Sequence, residues 1–336
     1  MFHSRLHFEC DYGFLNNFVD MGAIAMTGFM LLSGYTLTNI YIEKNILDFQ
    51  NLKRFYLKRI ISILPLYYTI ALLFSIYDLI NGADILDYIV SFPIEAICLQ
   101  SVFSTLFPFS HNGGTWFISC IMICYILFPF VMKVIADLVC SKLTLIMFTF
   151  IGILLWSPFV QHIFHLQDIY SNPFFRLLEF SIGCMLARLQ MLNSLNKKNG
   201  SLFNLLQSKI SLVFICAILV LGISISVNWG IPKDFMLYNW LGLPCFMCMT
   251  ICLSNRRMLI GHNPRVLLYL SKISFTFFMC QVLPLWKISS AIMAYFKSEI
   301  NVVKILLSFM VCLFGAMFIH HLIEKPIQKY LKTRLL

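Results

Sequence analysis

The sequence predicts an all-α protein, a polytopic transmembrane helix bundle of about nine spans. Three observations predict it. First, 60% of the 336 residues are hydrophobic and 12% charged, with a mean hydropathy of +0.82. Soluble domains average about 45–50% apolar and about 25% charged. Second, continuous apolar runs recur along the chain, most of them near the roughly 20 residues that cross a bilayer. Third, Lys and Arg gather in alternate loops between those runs. The 33 Phe and 15% aromatic content exclude a disordered chain.

In chain order the runs lie at 18–42, 60–80, 114–136, 142–165, 173–191, 209–228, 235–254, 266–296 and 302–323. Residues 88–107 carry Pro93 and Glu95 in their first half and fit a span, a re-entrant piece or an interfacial helix. Charge decides against a span. If 88–107 does not cross, one face collects five groups of cations. These are Lys44, Lys53, Arg54, Lys58 and Arg59; Lys133 and Lys142; Arg188, Lys197, Lys198 and Lys209; Arg256, Arg257, Arg265 and Lys272; and Lys325, Lys329, Lys332 and Arg334. That face holds nineteen of the 25 cations and is expected to be cytoplasmic. The sorting accounts for most of the +10 net charge, so no nucleic-acid partner is expected.

With the C-terminus inside, an odd number of spans puts residues 1–17 outside. MFHSRLHFECDYGFLNN has neither the basic n-region nor the apolar h-region of a signal peptide. The expectation is therefore that a further span precedes Met1, for about ten in the complete protein. No internal repeat, low-complexity tract or separate soluble domain interrupts the chain, which reads as one transmembrane domain over 1–336. Cys245, Cys248 and Cys252 have the only metal-like spacing, but they lie in an apolar run without His or acid beside them. They read as small hydrophobes, and no metal is expected.

Ionisable groups at bilayer depth are costly and mark candidate sites. Arg176 and Glu179 are spaced i,i+3 and share a helix face. They suit either a structural ion pair or a contact to an anionic or sugar substrate. His320 and Glu324, spaced i,i+4, can share a hydrogen bond and read as an interfacial anchor, with Pro326 expected to stop the helix. The basic loop around 53–65 suits an orientation signal, an anionic-lipid contact or the phosphates of a nucleotide cofactor. His3 and His7 precede the first run, and either could be a base or a solvated tail residue.

MTGFMLLSGYTL (26–37), YLKRIISILPLYY (56–68), TWFISCIMICYILFP (115–129) and RLLEFSIGCMLARL (176–189), in that order, resemble blocks of the membrane acyltransferase-3 family. They are similar in turn to its LSG block, its basic-loop block, its W-S-L-S-x-E block and its R-x-x-E-F-x-x-G block. Weaker matches follow in SKISFTFFMCQVLP (271–284) and HLIEKPIQKYLK (321–332). The resemblance implies an integral membrane O-acyltransferase. It would move an acyl group, usually acetyl from acetyl-CoA, to a hydroxyl of an envelope glycan or lipid-linked sugar in the bacterial inner membrane. It also implies roles for individual residues. His3 matches the family's catalytic His after its first apolar run. Arg59, Lys58 and Arg54 would hold the acyl-CoA phosphates, and Arg176, Glu179, Trp116 and Tyr125 would line the acceptor site. Membrane lipids are its surroundings. Four positions depart from the family pattern: Thr27 replaces an acid, Ser62 an arginine, Ile121 a glutamate and Gln281 a histidine. The alternative is a multi-span transporter or flippase without chemistry; it would favour inverted repeats and matching broken helices, and neither occurs.

Overall fold

In the computed structural model the described residues are 3–5, 10–82, 84–103, 115–164, 169–195, 206–228, 239–254, 264–280 and 301–336. Gln281, His7 and the cations at 197, 198, 256 and 257 lie outside them. Eleven helices of more than ten residues account for most of the described chain, and no strand occurs among the described residues. They are α1 (Ala25–Tyr41), α2 (Phe49–Ile80), α3 (Ile85–Ala96), α4 (Trp116–Ala136), α5 (Cys140–Phe164), α6 (Pro173–Leu195), α7 (Lys209–Asn228), α8 (Gly242–Ser254), α9 (Pro264–Cys280), α10 (Asn301–Ile319) and α11 (Lys325–Leu335).

Six helical stretches among the described residues are long and apolar enough to cross a membrane: Gly13–Tyr41, Phe49–Tyr77, Trp116–Ala136, Cys140–Phe164, Lys209–Ser226 and Val302–Leu335. Three expected spans are not among them, each for an identifiable reason. Helix α6 has 23 residues but carries Arg176, Glu179 and Arg188, which lower its hydropathy. Helix α8 has 13 residues, and α9 has 17 and ends where the described residues end. The large side chains that face outward are apolar: Phe148 is 63% exposed, Trp156 65% and Phe214 67%. Arg176 and Glu179 are each 2% exposed. That is the reverse of a water-soluble surface and matches a bundle in hydrocarbon. Hydroxyls within the apolar helices are satisfied locally: Thr36 Oγ1 donates to the Leu32 carbonyl, Thr69 Oγ1 to Pro65, and Thr144 Oγ1 to Cys140.

By internal packing the chain forms two compact units. One holds 1–13, 53–122 and 263–336; the other holds 14–52 and 123–262.

In the second unit α1 packs along α6, α5 lies on α6, and α8 packs on both α7 and α1. The α1–α6 contact is backbone to backbone. A Cβ on Gly34 would run into the Phe180 carbonyl oxygen, and a Cβ on Gly183 into the Leu31 carbonyl oxygen. The two glycines face each other's helix, as small residues do where membrane helices approach closely.

In the first unit α9 packs on α10. Residues 85–103 form α3 and the short turn Gln100–Phe103, separated by Cys98 at φ 56. At 12 residues α3 is well short of the roughly 20 needed to span. Tyr67 and Tyr68 of α2 donate their hydroxyls to the carbonyls of Glu95 and Ala96, which ties this segment to α2.

Two expectations need correction. The basic stretch 53–65 is not a loop. It forms the first turns of α2, because Lys, Arg, Leu and Ile propagate a helix well, and Pro65 is accommodated further along. Nor does Pro326 end the last helix. A π-helical turn, His320–Glu324, joins α10 to α11 with Pro326 in the first turn of α11. Proline has no N–H to donate and its ring crowds the carbonyl four residues back. A π turn at that point changes the hydrogen-bond register and lets the chain continue.

Candidate functional site

The residues marked by the sequence fall into both units, and each is described within its own.

In the first unit, His3 sits in a short helical turn with Ser4 and Arg5. Ser4 Oγ and the Tyr12 hydroxyl are 2.7 Å apart. Arg5 Nη1 donates to the Cys10 carbonyl at 3.5 Å, and the Cys10 amide donates to Ser4 O at 3.5 Å. These contacts fold residues 3–5 against 10–12. Burial pushes the Cys10 thiol up, so it remains protonated beside this turn.

Arg54, Lys58 and Arg59 lie within two turns of α2. Arg54 is exposed, while Lys58 and Arg59 are half-buried. The Arg59 guanidinium lies over the Phe55 ring, 5.6 Å from its centroid. A planar cation braced on an aromatic face is preset for an anionic oxygen.

Trp116, half-buried, opens α4 with its ring at 90° to that of Phe117, 6.2 Å away. Its carbonyl accepts from Ser101 Oγ at 2.8 Å. Around it is a polar group that sequence reasoning missed. Gln100 Nε2 donates to the Thr115 carbonyl at 2.8 Å and lies 3.5 Å from the Tyr67 hydroxyl, while the Ser101 amide donates to Ser119 Oγ at 3.2 Å. Gln100 is 5% exposed, and its Oε1 has no partner among the described residues. The signal was present as Gln, Ser and Thr in an apolar stretch, but only folding of 85–103 back onto α2 and α4 brings them together.

A second polar cluster, of which the sequence marked the His320–Glu324 pair alone, is centred on Glu324, 5% exposed in the π turn. His320 Nδ1 lies 2.6 Å from Glu324 Oε2, and Thr276 Oγ1 of α9 donates to the same oxygen. Gln328 Nε2 donates to Glu324 Oε1 at 3.0 Å and to the Ser62 carbonyl of α2 at 3.2 Å. The Tyr269 hydroxyl is 3.1 Å from His321 Nε2. The spacing of His320 and Glu324 was legible; the partners on α9 and α2 were not.

In the second unit, Arg176 and Glu179 pair with each other at 2.7 Å across one turn of α6. Arg176 Nε donates to the Tyr170 carbonyl at 2.7 Å, and Nη1 donates to Thr27 Oγ1 at 3.2 Å. Thr27 Oγ1 donates to Glu179 Oε1 at 3.0 Å. The guanidinium sits over the Tyr170 ring at 4.5 Å, and the Tyr170 hydroxyl donates to the Ala23 carbonyl at 3.2 Å. Thr27 thus joins the ion pair from α1 in the place where the family often carries an acid. This is a filled internal network in which each charge is neutralised where it is buried. Tyr125 stands apart from it, its ring edge-on to Phe180 at 6.3 Å.

An all-helical chain with apolar outward faces, charges buried in pairs and a basic helix start defines an integral membrane protein of the polytopic helical class. The acyltransferase-3 model, described as an acyltransferase domain, matches residues 1–321, and the chain belongs to that family. No curated protein and no solved structure matches it. The family makes it a membrane acyltransferase.

Proposed function

We propose that the chain is an O-acyltransferase that takes acetyl, or another short acyl group, from acyl-CoA and places it on a hydroxyl of an envelope glycan or lipid-linked sugar. The observation that carries the donor half is the basic start of α2. Three cations within six residues, two of them half-buried and one braced on Phe55, fit the phosphates of CoA as charge-assisted contacts. Acyl-CoA supplies the acyl group already activated as a thioester. His3 takes the proton of the acceptor hydroxyl as the acyl C–O bond forms and the C–S bond breaks, and returns it to the leaving sulfur. General-base assistance of this kind contributes about 10²–10⁴-fold. Trp116 offers a ring to a sugar face. Arg176 and Glu179 act here by holding α6 to α1. The proposed acceptor class implies a bacterial inner-membrane location, and the cation sorting supports a C-terminus in the cytoplasm.

The test is to supply membranes with labelled acetyl-CoA and follow label into polysaccharide. The wild type is expected to transfer it, and His3→Ala to abolish transfer while the protein stays in the membrane. Transfer undiminished in His3→Ala would overturn the base assignment. Absence of label from glycan with the wild type would overturn the donor and acceptor classes together.

A further inference from the structure

A groove of about 460 Å³ runs between α4, α5 and α6, wholly within the second unit. Its walls include Val134 of α4 and Leu138 just after it, Ile146 and Phe150 of α5, and Met185 of α6, and Ser181 is the one hydroxyl among its lining residues. Phe174 to Met185 of α6 sets its length at roughly 16 Å for a helical rise. That is close to the depth of one leaflet, half of a hydrocarbon core of about 30 Å.

One end of the groove is marked by charge. Helices α5 and α6 each carry a cation beyond their groove-lining residues at this end and in register with them. Lys142 lies four residues before Ile146, and Arg188 three residues after Met185. Spacings of three and four keep a side chain on one helix face. Lys142 is exposed. Arg188 Nη2 donates to the Ala136 carbonyl at 2.8 Å, while its buried Nε has no partner among the described residues. The only acid in the connection is the exposed Asp137, so positive charge is in excess.

We propose that this groove binds an anionic phospholipid from the surrounding leaflet, one acyl chain between α4, α5 and α6 and the phosphate on Lys142 and Arg188. A zwitterionic lipid would fill the apolar part equally well but leave the cations without a net counter-charge. A second copy of the chain, docked by the same face about a two-fold axis, would bring like charges together. The proposal does not depend on the acyl-transfer reading, because its test uses no acyl-CoA.

The purified full chain is reconstituted in nanodiscs containing a trace of phosphatidylglycerol with a photoreactive group midway along one acyl chain. After irradiation, label is expected on peptides covering 127–153 and 174–185. A phosphatidylcholine probe of the same chain should label them far less. Lys142→Ala should cut phosphatidylglycerol labelling by about fivefold. Ser181→Phe, which fills the groove, should cut it for both probes. If the lysine variant is not monodisperse, the wild type at rising salt gives the same comparison, because an exposed phosphate contact weakens as ions screen it. Equal labelling by the two probes, unchanged labelling in the lysine variant or at high salt, or label found only in a cross-linked dimer would overturn the proposal.

Discussion

Gly34→Ala separates two accounts of the α1–α6 contact by the sign of its effect. In a helix interior, Ala is favoured over Gly by about 0.5–1 kcal/mol. If the two helices did not need to touch at their backbones, the substitution would stabilise the protein. Here the added Cβ would strike the Phe180 carbonyl oxygen, and a backbone carbonyl cannot swing aside as a side chain can. Overpacking costs about 1–3 kcal/mol, and a rigid obstacle belongs at the upper end. The net expectation is a loss of about 2–2.5 kcal/mol, the overpacking cost less the propensity gain. Gly152 of α5 is the internal control. A Cβ there meets nothing within 4 Å, so Gly152→Ala is expected to leave stability unchanged or raise it. Unfolding can be followed in detergent with a thiol-reactive dye, because Cys184 is buried beside Gly34 and its Sγ lies 3.5 Å from the Gly34 carbonyl. A lower midpoint for Gly34→Ala and Gly183→Ala, with none for Gly152→Ala, is the expected result. The double variant should lose less than the two singles summed, since both open one contact. A higher midpoint for Gly34→Ala would refute the close approach.

Other variants test the polar contacts. Glu179→Ala leaves the Arg176 charge buried against Thr27 and the Tyr170 carbonyl, and is expected to cost about 3–5 kcal/mol. Replacing both partners, as Arg176→Met with Glu179→Leu, should restore most of that loss in the same unfolding assay; no recovery would mean that the pair does more than neutralise itself. Glu324→Ala takes the acceptor from Thr276, His320 and Gln328 together and should lower the midpoint by more than Thr276→Ala alone. Arg59→Ala should weaken acyl-CoA binding to purified protein while leaving the fold intact, and unchanged binding would remove the donor role. Tyr67→Phe removes the hydroxyl that holds the Glu95 carbonyl. It should cost about 1 kcal/mol and make 85–103 more open to proteolysis.

The helices were legible in the sequence to the extent that one helix can be judged alone. Apolar runs gave α4, α5 and α7 nearly to their ends, because hydrocarbon leaves the backbone no other way to satisfy itself. The short α3 was legible from charge, since a crossing there would have scattered the cations over both faces. What was not legible depends on a partner or on register. The basic stretch at 53–65 read as a loop because its charge outweighed its helix propensity, yet it starts α2. Pro326 read as a stop because a π turn leaves no local signature in sequence. For the candidate site, the i,i+3 and i,i+4 pairs Arg176–Glu179 and His320–Glu324 were readable because both members lie on one helix. Thr27, Thr276 and Gln100 were not, because each meets its partner from a different segment.

The two polar clusters show why those cross-helix partners matter. Lipid tails are as apolar as leucine, so burial against them gives two helices no preference for one register over another. Close glycine contact and satisfied polar groups supply that preference. In the second unit they coincide on a single helix pair. Thr27 lies seven residues before Gly34 on α1, and Glu179 four before Gly183 on α6. The ion-pair network and the glycine contact therefore sit within two turns of each other along the same seam. A slip of either helix by one turn would strand Arg176 away from Thr27 and drive the Leu31 and Phe180 carbonyls against side chains. The LSG and R-x-x-E-F-x-x-G blocks, 150 residues apart in the chain, are thus two halves of one packing device. That is reason enough for both blocks to be present without either touching a substrate.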